Sequence, residues 1–400
     1  MINGKSIKET EAKYFVQTYK RADLIVQKAK GQFIWDEKGK KYLDFFSGIS
    51  VCNLGHCHPS VVKNIKKQID SFAHISNIFY APSQIELGKQ LIKKGFGKRV
   101  FLANSGAEAN ECAIKTARKW GRENPSQNGK SRYEIITLNN SFHGRTLATL
   151  AATGQDKYHA PFEPMPEKFL FANLNDIESV KSLVSDRTAA VMIEVIQGEG
   201  GIQIAKKEFL RDLRALCDEK NILLIFDEIQ CGMGRTGKFY AFQNYGVMPD
   251  IVTLAKSLAN GLPLGAAIVD KKCENTFSFG DHGSTFGGNP VSCAAALAVL
   301  NTMNAPFLNN VVKNAKYFYA KLEALKNKYS FITEIRGIGL MIGIQLNKPG
   351  KDIVASCLKK GLIINCTHET VLRIMPPLII GKKDIDAAVK ILDEVFKEQK

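Results

Sequence analysis

Between residues 98 and 270 the chain alternates short apolar runs with stretches whose apolar residues fall at helical spacing. KRVFLAN, YEIITLNN, TAAVMIEVI, NILLIFDE, DIVTLA and LGAAIVD read as strands. AEANECAIKTARKW, DIESVKSLV and KEFLRDLRALCDEK read as helices between them. The strands are apolar along their whole length instead of at every second residue. That pattern predicts a parallel or mostly parallel sheet covered by helices on both faces. Upstream, FIWDEKGKKYLDFF reads as two short strands joined by a Glu-Lys-Gly-Lys turn. After NPVSCAAALAVLNTM the character changes to α+β. FITEIRGIGLMIGIQL, LIINC and VLRIMPPL are strand material, while VASCLKKGL and DIDAAVKILDEVFKEQ are helical. A second domain is therefore expected from about Met303 onward, and residues 1–50 are too few for a core of their own.

Composition narrows the class. The 400 residues are 45% apolar and 24% charged, a globular balance that excludes global disorder. No run approaches the ~20 apolar residues of a membrane span. The opening MINGKSIKETEAKYF has no apolar signal region, so a cytoplasmic location is expected. The nine cysteines are scattered without a CxxC pair, which predicts reduced thiols. His56-Cys57-His58 resembles a metal cluster, but no second ligand pair stands at zinc spacing, and no metal is expected. The net charge of +16 comes from lysine doublets spread along the whole chain, with no nucleic-acid-binding motif among them. It reads as a solvated surface that can steer anionic substrates, not as a nucleic-acid or membrane interface.

In a parallel α/β sheet, ligands sit at the carboxyl ends of the strands. The first of these ends carries Asn104-Ser105-Gly106-Ala107-Glu108, a small turn opening a helix, whose free N–H groups suit an anion. The second carries Ser141-Phe142-His143-Gly144-Arg145, an aromatic and a cation able to stack a ring and bind a carboxylate. Gln197-Gly198-Glu199-Gly200-Gly201 places one acid on a glycine-flanked loop. Asp227 closes a very apolar strand, where a carboxylate is costly unless a cation or protonated ring nitrogen pairs with it. Lys256 closes the next strand and is either a structural ion-pair partner or a Schiff-base lysine. Gly232-Met233-Gly234-Arg235-Thr236-Gly237 matches GxGxxG but does not follow its strand directly, so no dinucleotide site is assigned to it. Together, an anion-binding turn, a stacking Phe, an acid and a lysine amine are the parts needed to hold pyridoxal phosphate.

On NSGAEANE, SFHGRT, EVIQGEGG, FDEIQCGMGRTG, LAKSLANGLPLGA, HGSTFGGNP and LRIMPPL, in that order, the chain resembles the class III, fold-type I aminotransferases. TYKR, WDEKGKKYLDFFSGISVCNLGHCHP and HISNIFY are most similar to the acetylornithine branch of that class. The chain departs from the pattern at Ala22-Asp23, just after Tyr19, where the family has an aromatic and a proline.

The resemblance implies a large domain with a mostly parallel seven-stranded sheet, residues 51–303, and a small α+β domain, residues 304–400, joined by the N-terminal segment 1–50. It implies pyridoxal 5′-phosphate held by Ser105, Gly106 and Ala107 at its phosphate, Phe142 on its ring, Asp227 at its ring nitrogen, Gln230 near its phenolic oxygen and Lys256 at its carbonyl carbon. Thr285 would complete the phosphate site of a second copy, which makes the protein a homodimer with shared sites. Arg145, Glu199, Ser284 and Arg373 would contact substrate. The implied reaction moves the δ-amino group of N2-acetylornithine to 2-oxoglutarate, leaving glutamate, in two half-reactions. Ornithine, succinyldiaminopimelate and 4-aminobutyrate are the alternative donors. A noncatalytic protein of this fold and a basic nucleic-acid binder are the alternatives from other classes. The lysine and acid at adjacent strand ends speak against the first, and the scattered lysines against the second.

Overall fold

A computed structural model of the chain describes residues 4–399. Its centre is a seven-stranded sheet in the order Arg99–Ala103, Gly265–Val269, Ile251–Leu254, Leu223–Asp227, Thr188–Ile193, Glu134–Leu138, Phe169–Ala172. Only Gly265–Val269 runs antiparallel to its neighbours. The remaining pairings are parallel. The apolar runs behave as expected of strands covered on both sides, since every residue of Thr188–Ile193 and Leu223–Asp227 is buried. The helix Gly106–Glu123 packs its Ala113, Ile114, Ala117 and Trp120 against one face. Lys207–Glu219 sends Phe209, Leu210, Leu213 and Leu216 into the main core.

Three strands near the N-terminus, Val26–Lys30, Phe33–Asp36 and Lys41–Asp44, form a sheet completed by Leu362–Ile363 from near the C-terminus. The last pairing is parallel, Leu362 beside Leu43 and Ile363 beside Asp44. LIINC is therefore not one strand: its second part, Asn365–Thr367, turns into a separate antiparallel sheet with Val371–Ile374, Met341–Leu346 and Ile332–Ile338. The terminal helix Lys382–Lys397 buries Ile385, Ala388, Leu392, Val395 and Phe396.

The helices Gly4–Tyr14, Pro59–Ile69, Pro82–Lys93 and Ala305–Lys328 are further elements. No single described helix is long and apolar enough to cross a membrane. All nine cysteines are unpaired. In the His-Cys-His run, His56 Nε2 lies 2.8 Å from Asp44 Oδ2, Cys57 is exposed, and His58 precedes the helix beginning at Pro59.

Ser47 to Ser50 is a left-handed turn, with φ of 45°, 64°, 61° and 63° in succession. Three of the four residues have side chains, and Ile49 is β-branched, so the turn costs roughly 1–2 kcal/mol at each. Its surroundings hold it in place. Asp44 Oδ1 accepts the N–H groups of Phe46 and Ser47, Ser47 Oγ donates to Met375 O, and Arg235 Nε donates to Ser50 Oγ. The turn delivers Val51 to the wall of the cavity described next.

Candidate active site

The carboxyl edge of the large sheet opens onto a cavity of about 430 Å³. Ser105, Gly106, Ala107, Phe142, Arg145, Asp227, Gln230 and Lys256 all line it. Residues up to 151 positions apart in the chain meet here because parallel strands end on the same side.

At one end is the N-terminus of Gly106–Glu123. Ser105 caps it, its Oγ accepting from Glu108 N at 3.1 Å, and the Glu108 carboxylate reaches back to Asn104 N at 2.9 Å. The N–H groups of Gly106 and Ala107 belong to the first turn and have no intrahelical acceptor. The turn fits tightly against Gly265, where a Cβ would stand 2.2 Å from Ser105 O. The result is a small anion cradle with a positive dipole end.

At the depth of the cavity is Asp227, 3% exposed. Its Oδ2 accepts from Asn110 Nδ2 and meets His143 Nδ1, both at 2.8 Å, and its Oδ1 accepts from Ile229 N at 3.0 Å. Asn110 also donates to His143 O at 2.7 Å and accepts from Thr253 Oγ1 at 2.7 Å. This network orients the carboxylate without placing a lysine or arginine on it. His143 Nε2 is buried and has no hydrogen-bond partner.

Lys256 follows the strand Ile251–Leu254 and opens a short 3-10 turn. Its φ is 44°, in the left-handed region where a lysine is uncommon, and this aims the side chain into the cavity. Burial pulls its amine below the ordinary lysine range, against the opposing pull of Glu199 and Asp227. No described side chain forms an ion pair with it. A desolvated, unpaired amine is the state a nucleophilic lysine needs.

Two cations differ in setting. Arg145 is exposed at the mouth, its guanidinium 4.1 Å from the Tyr158 ring centre and 5.5 Å from that of Phe142. Arg373, 2% exposed, comes from the C-terminal strand Val371–Ile374. Its Nη1 donates to Glu199 Oε1 at 2.5 Å and Gln230 Oε1 at 3.2 Å, and its Nε donates to Asn365 Oδ1 at 3.1 Å. Burial alone would raise the Glu199 carboxyl, but the Arg373 charge and hydrogen bond outweigh it and hold it below the ordinary range.

Ser284 and Thr285 lie apart from this group. Ser284 Oγ accepts from Asn104 Nδ2 at 3.1 Å, beside the cap but outside the cavity lining. Thr285 is exposed and lies in a separate crevice with His74, Asn77 and Phe286. Within one chain, then, Thr285 is not brought to the anion cradle.

The model of the class III aminotransferase family matches residues 14–396. The chain belongs to the class III aminotransferases. It is 52% identical to the acetylornithine aminotransferase of Methanocaldococcus jannaschii over 98% of each chain. It is 49% identical to that of Caldanaerobacter subterraneus subsp. tengcongensis, over 97% of this chain and 98% of the relative. Among solved structures, the ornithine aminotransferase of Toxoplasma gondii is similar with a TM-score of 0.94 at 30% identity, covering 100% of this chain and 97% of that one. The acetylornithine aminotransferase of Elizabethkingia anophelis gives 0.88 at 31% identity and full coverage of both chains. A further structure of the Toxoplasma enzyme is described as showing partial occupancy of PLP at its active site.

Against this family background, Glu194, His143, Asn110 and Val51 stand out as parts of the site that sequence reasoning left unassigned. Glu194 falls inside TAAVMIEVI, which the pattern reads as one strand, whereas the strand stops at Ile193 and leaves Glu194 at its end. His143 lay inside a quoted motif, but only the fold shows that it meets Asp227. The signal for Asn110 was faint: an amide on the buried, mostly apolar side of its helix.

Proposed function

We propose that this aminotransferase transfers the δ-amino group of N2-acetylornithine to 2-oxoglutarate, using pyridoxal 5′-phosphate. The observation that carries the reading is a pair of unlike cations, an exposed Arg145 lining the cavity and a buried Arg373 just behind the lining residue Gln230, already neutralised by Glu199. A donor that reacts at its far end needs a carboxylate partner away from the chemistry, and Arg145 at the mouth offers one. Glutamate and 2-oxoglutarate need a second cation close in, and Arg373 offers one once Glu199 turns aside. The 52% and 49% identical relatives carry the acetylornithine name, whereas the ornithine enzyme among the structural neighbours stands at 30%.

The residues present fit the cofactor. The first-turn amides of Gly106 and Ala107, with Ser105, would hold its phosphate. Phe142 would cover its ring, Asp227 would face the ring nitrogen, Gln230 would approach the phenolic oxygen, and Lys256 would hold the carbonyl carbon. When bound, pyridoxal phosphate supplies a carbonyl that captures an amine and a ring that withdraws electrons from the adjoining carbon. Asp227, oriented by Asn110 and His143, would favour the protonated ring nitrogen. Lys256 Nζ, free once the substrate amine has taken its place, would take the proton from the substrate carbon and return a proton in the later step.

The reading extends to a homodimer. Ile78, Phe79, Tyr80 and Phe286 are 82%, 62%, 90% and 60% exposed, an apolar patch suited to a second copy. Thr285 beside Phe286 is then placed to serve the partner's cradle. The chain would divide at about residue 303, with residues 1–50 joined to 304–400 through the Leu43–Leu362 pairing. Nine unpaired thiols fit a reducing cytoplasm.

The test is a panel of amino donors with 2-oxoglutarate. N2-acetylornithine should give the highest kcat/KM. A higher value for ornithine, 4-aminobutyrate or succinyldiaminopimelate would replace the proposed donor.

A further inference from the structure

Glu194 is a buried carboxylate on the cavity wall that the proposed chemistry does not use. It follows the strand Thr188–Ile193, and Ile193 pairs with Phe226, so Glu194 and Asp227 leave adjacent parallel strands side by side. Their partners differ. Asp227 is held by His143, Asn110 and its own turn. Glu194 accepts two backbone N–H groups, Phe142 N to Oε2 at 3.0 Å and Gly198 N to Oε1 at 3.2 Å.

Those two amides root two different loops. Phe142 begins the loop that carries Arg145. Gly198 immediately precedes Glu199. The Gly198 peptide is fixed from its other side as well, since its carbonyl accepts from Arg373 Nη1 at 3.4 Å. A Cβ at Gly198 would stand 2.1 Å from Gln230 Oε1, so this loop runs directly over Gln230. Burial pushes the Glu194 carboxyl up to about 7, with His143 opposing and Asp227 adding to the shift. A carboxyl buried here is costly, and its two backbone hydrogen bonds offset that cost.

We propose that Glu194 is a positioning residue that braces the Arg145 loop and the Glu199 loop at a fixed separation, so that Glu199 exchanges partners by moving its side chain while its backbone stays still. The proposal rests on the reading of Arg145 and Glu199 as substrate contacts. It also predicts what Glu194 leaves alone. His143 is pinned independently, its N–H to Thr153 Oγ1 at 2.9 Å and its carbonyl to Asn110. Asp227 therefore keeps its partners when Glu194 is altered, and the proton-transfer step is spared.

The experiment is Glu194→Gln in the holoenzyme. A glutamine can accept one of the two N–H groups through its oxygen, but its NH₂ must then face the other. Amide exchange without substrate should quicken about tenfold at Phe142 or Gly198 and stay unchanged in the strands beside them. At saturating cofactor, KM for the amino donor and for 2-oxoglutarate should each rise about tenfold, as expected of loops displaced by a fraction of an ångström, while kcat stays within about threefold. Glu194→Asp keeps the charge but withdraws the carboxylate by about 1.5 Å, one C–C bond, and should fall between wild type and Gln. It also serves if the Gln variant does not fold. Unchanged exchange at both amides, or a fall in kcat with KM unmoved, overturns the brace. The exchange measurement does not depend on which donor the enzyme uses. Failure of the donor panel would remove the functional reading and leave the brace standing, and the reverse holds equally.

Discussion

Glu199→Gln separates a movable neutraliser from a permanent ion pair. In the structure Glu199 makes its short contact with Arg373 and a longer one, 3.4 Å, with Gln230 Nε2. Arg373 has only neutral acceptors otherwise: Asn365 Oδ1, Gln230 Oε1 and Gly198 O. Replacing the carboxylate by an amide keeps the shape and removes the charge. A hydrogen bond between charged groups is worth about 1.5–3 kcal/mol, and its loss leaves a buried guanidinium without a counter-ion. During the acetylornithine half-reaction Arg373 should be neutralised, so the whole penalty applies there. That corresponds to roughly a 10- to 150-fold loss in kcat/KM for that half-reaction. On the proposed exchange, Arg373 would bind the substrate α-carboxylate during the glutamate half-reaction, with Glu199 already turned away. That half-reaction should stay within about threefold of wild type or improve, because no pair has to be broken first. Stopped-flow absorbance of the cofactor, with each substrate added alone, measures the two rates separately. Parallel losses in both half-reactions would refute the exchange of partners and leave Glu199–Arg373 as a fixed structural pair.

Other expectations concern the rest of the site and its frame. Lys256→Ala should abolish steady-state transamination and the lysine-linked visible absorption; a mutant turning over at the wild-type rate would remove Lys256 from the chemistry. Asp227→Ala should cost about 3 kcal/mol or more in kcat, on the scale of other oriented electrostatic partners, with a normal rate and normal cofactor affinity as the contrary result. Arg235 is fully buried, its guanidinium bonded to Ser50 Oγ, Asn53 Oδ1, Leu340 O and Pro376 O, and burial pulls it down to about 9. Arg235→Met leaves buried neutral acceptors unpaired, a loss worth about 1–3 kcal/mol for a group that finds no new partner, and should destabilise the fold in denaturant titration; a change below about 1 kcal/mol would mean these acceptors find other partners. His56 is raised to about 10, first by its bond to Asp44 and next by Cys52. A raised cation stabilises fully below its unfolded value of 6.5 and loses that contribution as pH climbs through 10, so the stability gap between wild type and His56→Gln should close across that window. A gap independent of pH would contradict it.

The strand ends that line the cavity were legible because the strands are mostly apolar runs that stop at a polar residue. Asp227 after Leu-Leu-Ile-Phe and Lys256 after Ile-Val-Thr-Leu-Ala are the clearest cases. Wholly apolar strands cannot face water on either side, which is why parallel packing followed from pattern alone. What stayed hidden depended on contacts between distant segments. Nothing in Ser-Gly-Ile-Ser announces a left-handed turn. That turn exists because Asp44, Arg235 and Met375 O converge on it, and two of these lie more than 180 residues away. LIINC read as one strand because its apolar run is continuous, and it splits because Leu43 and Leu372 recruit its two halves into different sheets. Thr285 is the opposite case. Its motif was plain, yet one chain places it in a separate crevice, and only the proposed second copy would give it a cradle to serve.

The rejected glycine motif shows how the frame and the site are joined. The peptide groups and the arginine of Gly232-Met233-Gly234-Arg235 collect the segments that build the cavity. Met233 O accepts from Asn53 Nδ2, Arg235 O accepts from Leu340 N, and the guanidinium reaches Ser50 and Pro376. Ser50 precedes Val51 on the cavity wall, and Pro376 lies three residues beyond Arg373. One buried cation, in the turn that follows the strand Leu223–Asp227, thus ties down both the N-terminal turn and the segment just after the strand Val371–Ile374. A loss there should therefore appear twice, as lowered stability and as a raised KM for the oxo acid. Lys256 and Asp227, which rest on their own strands, should keep their rate.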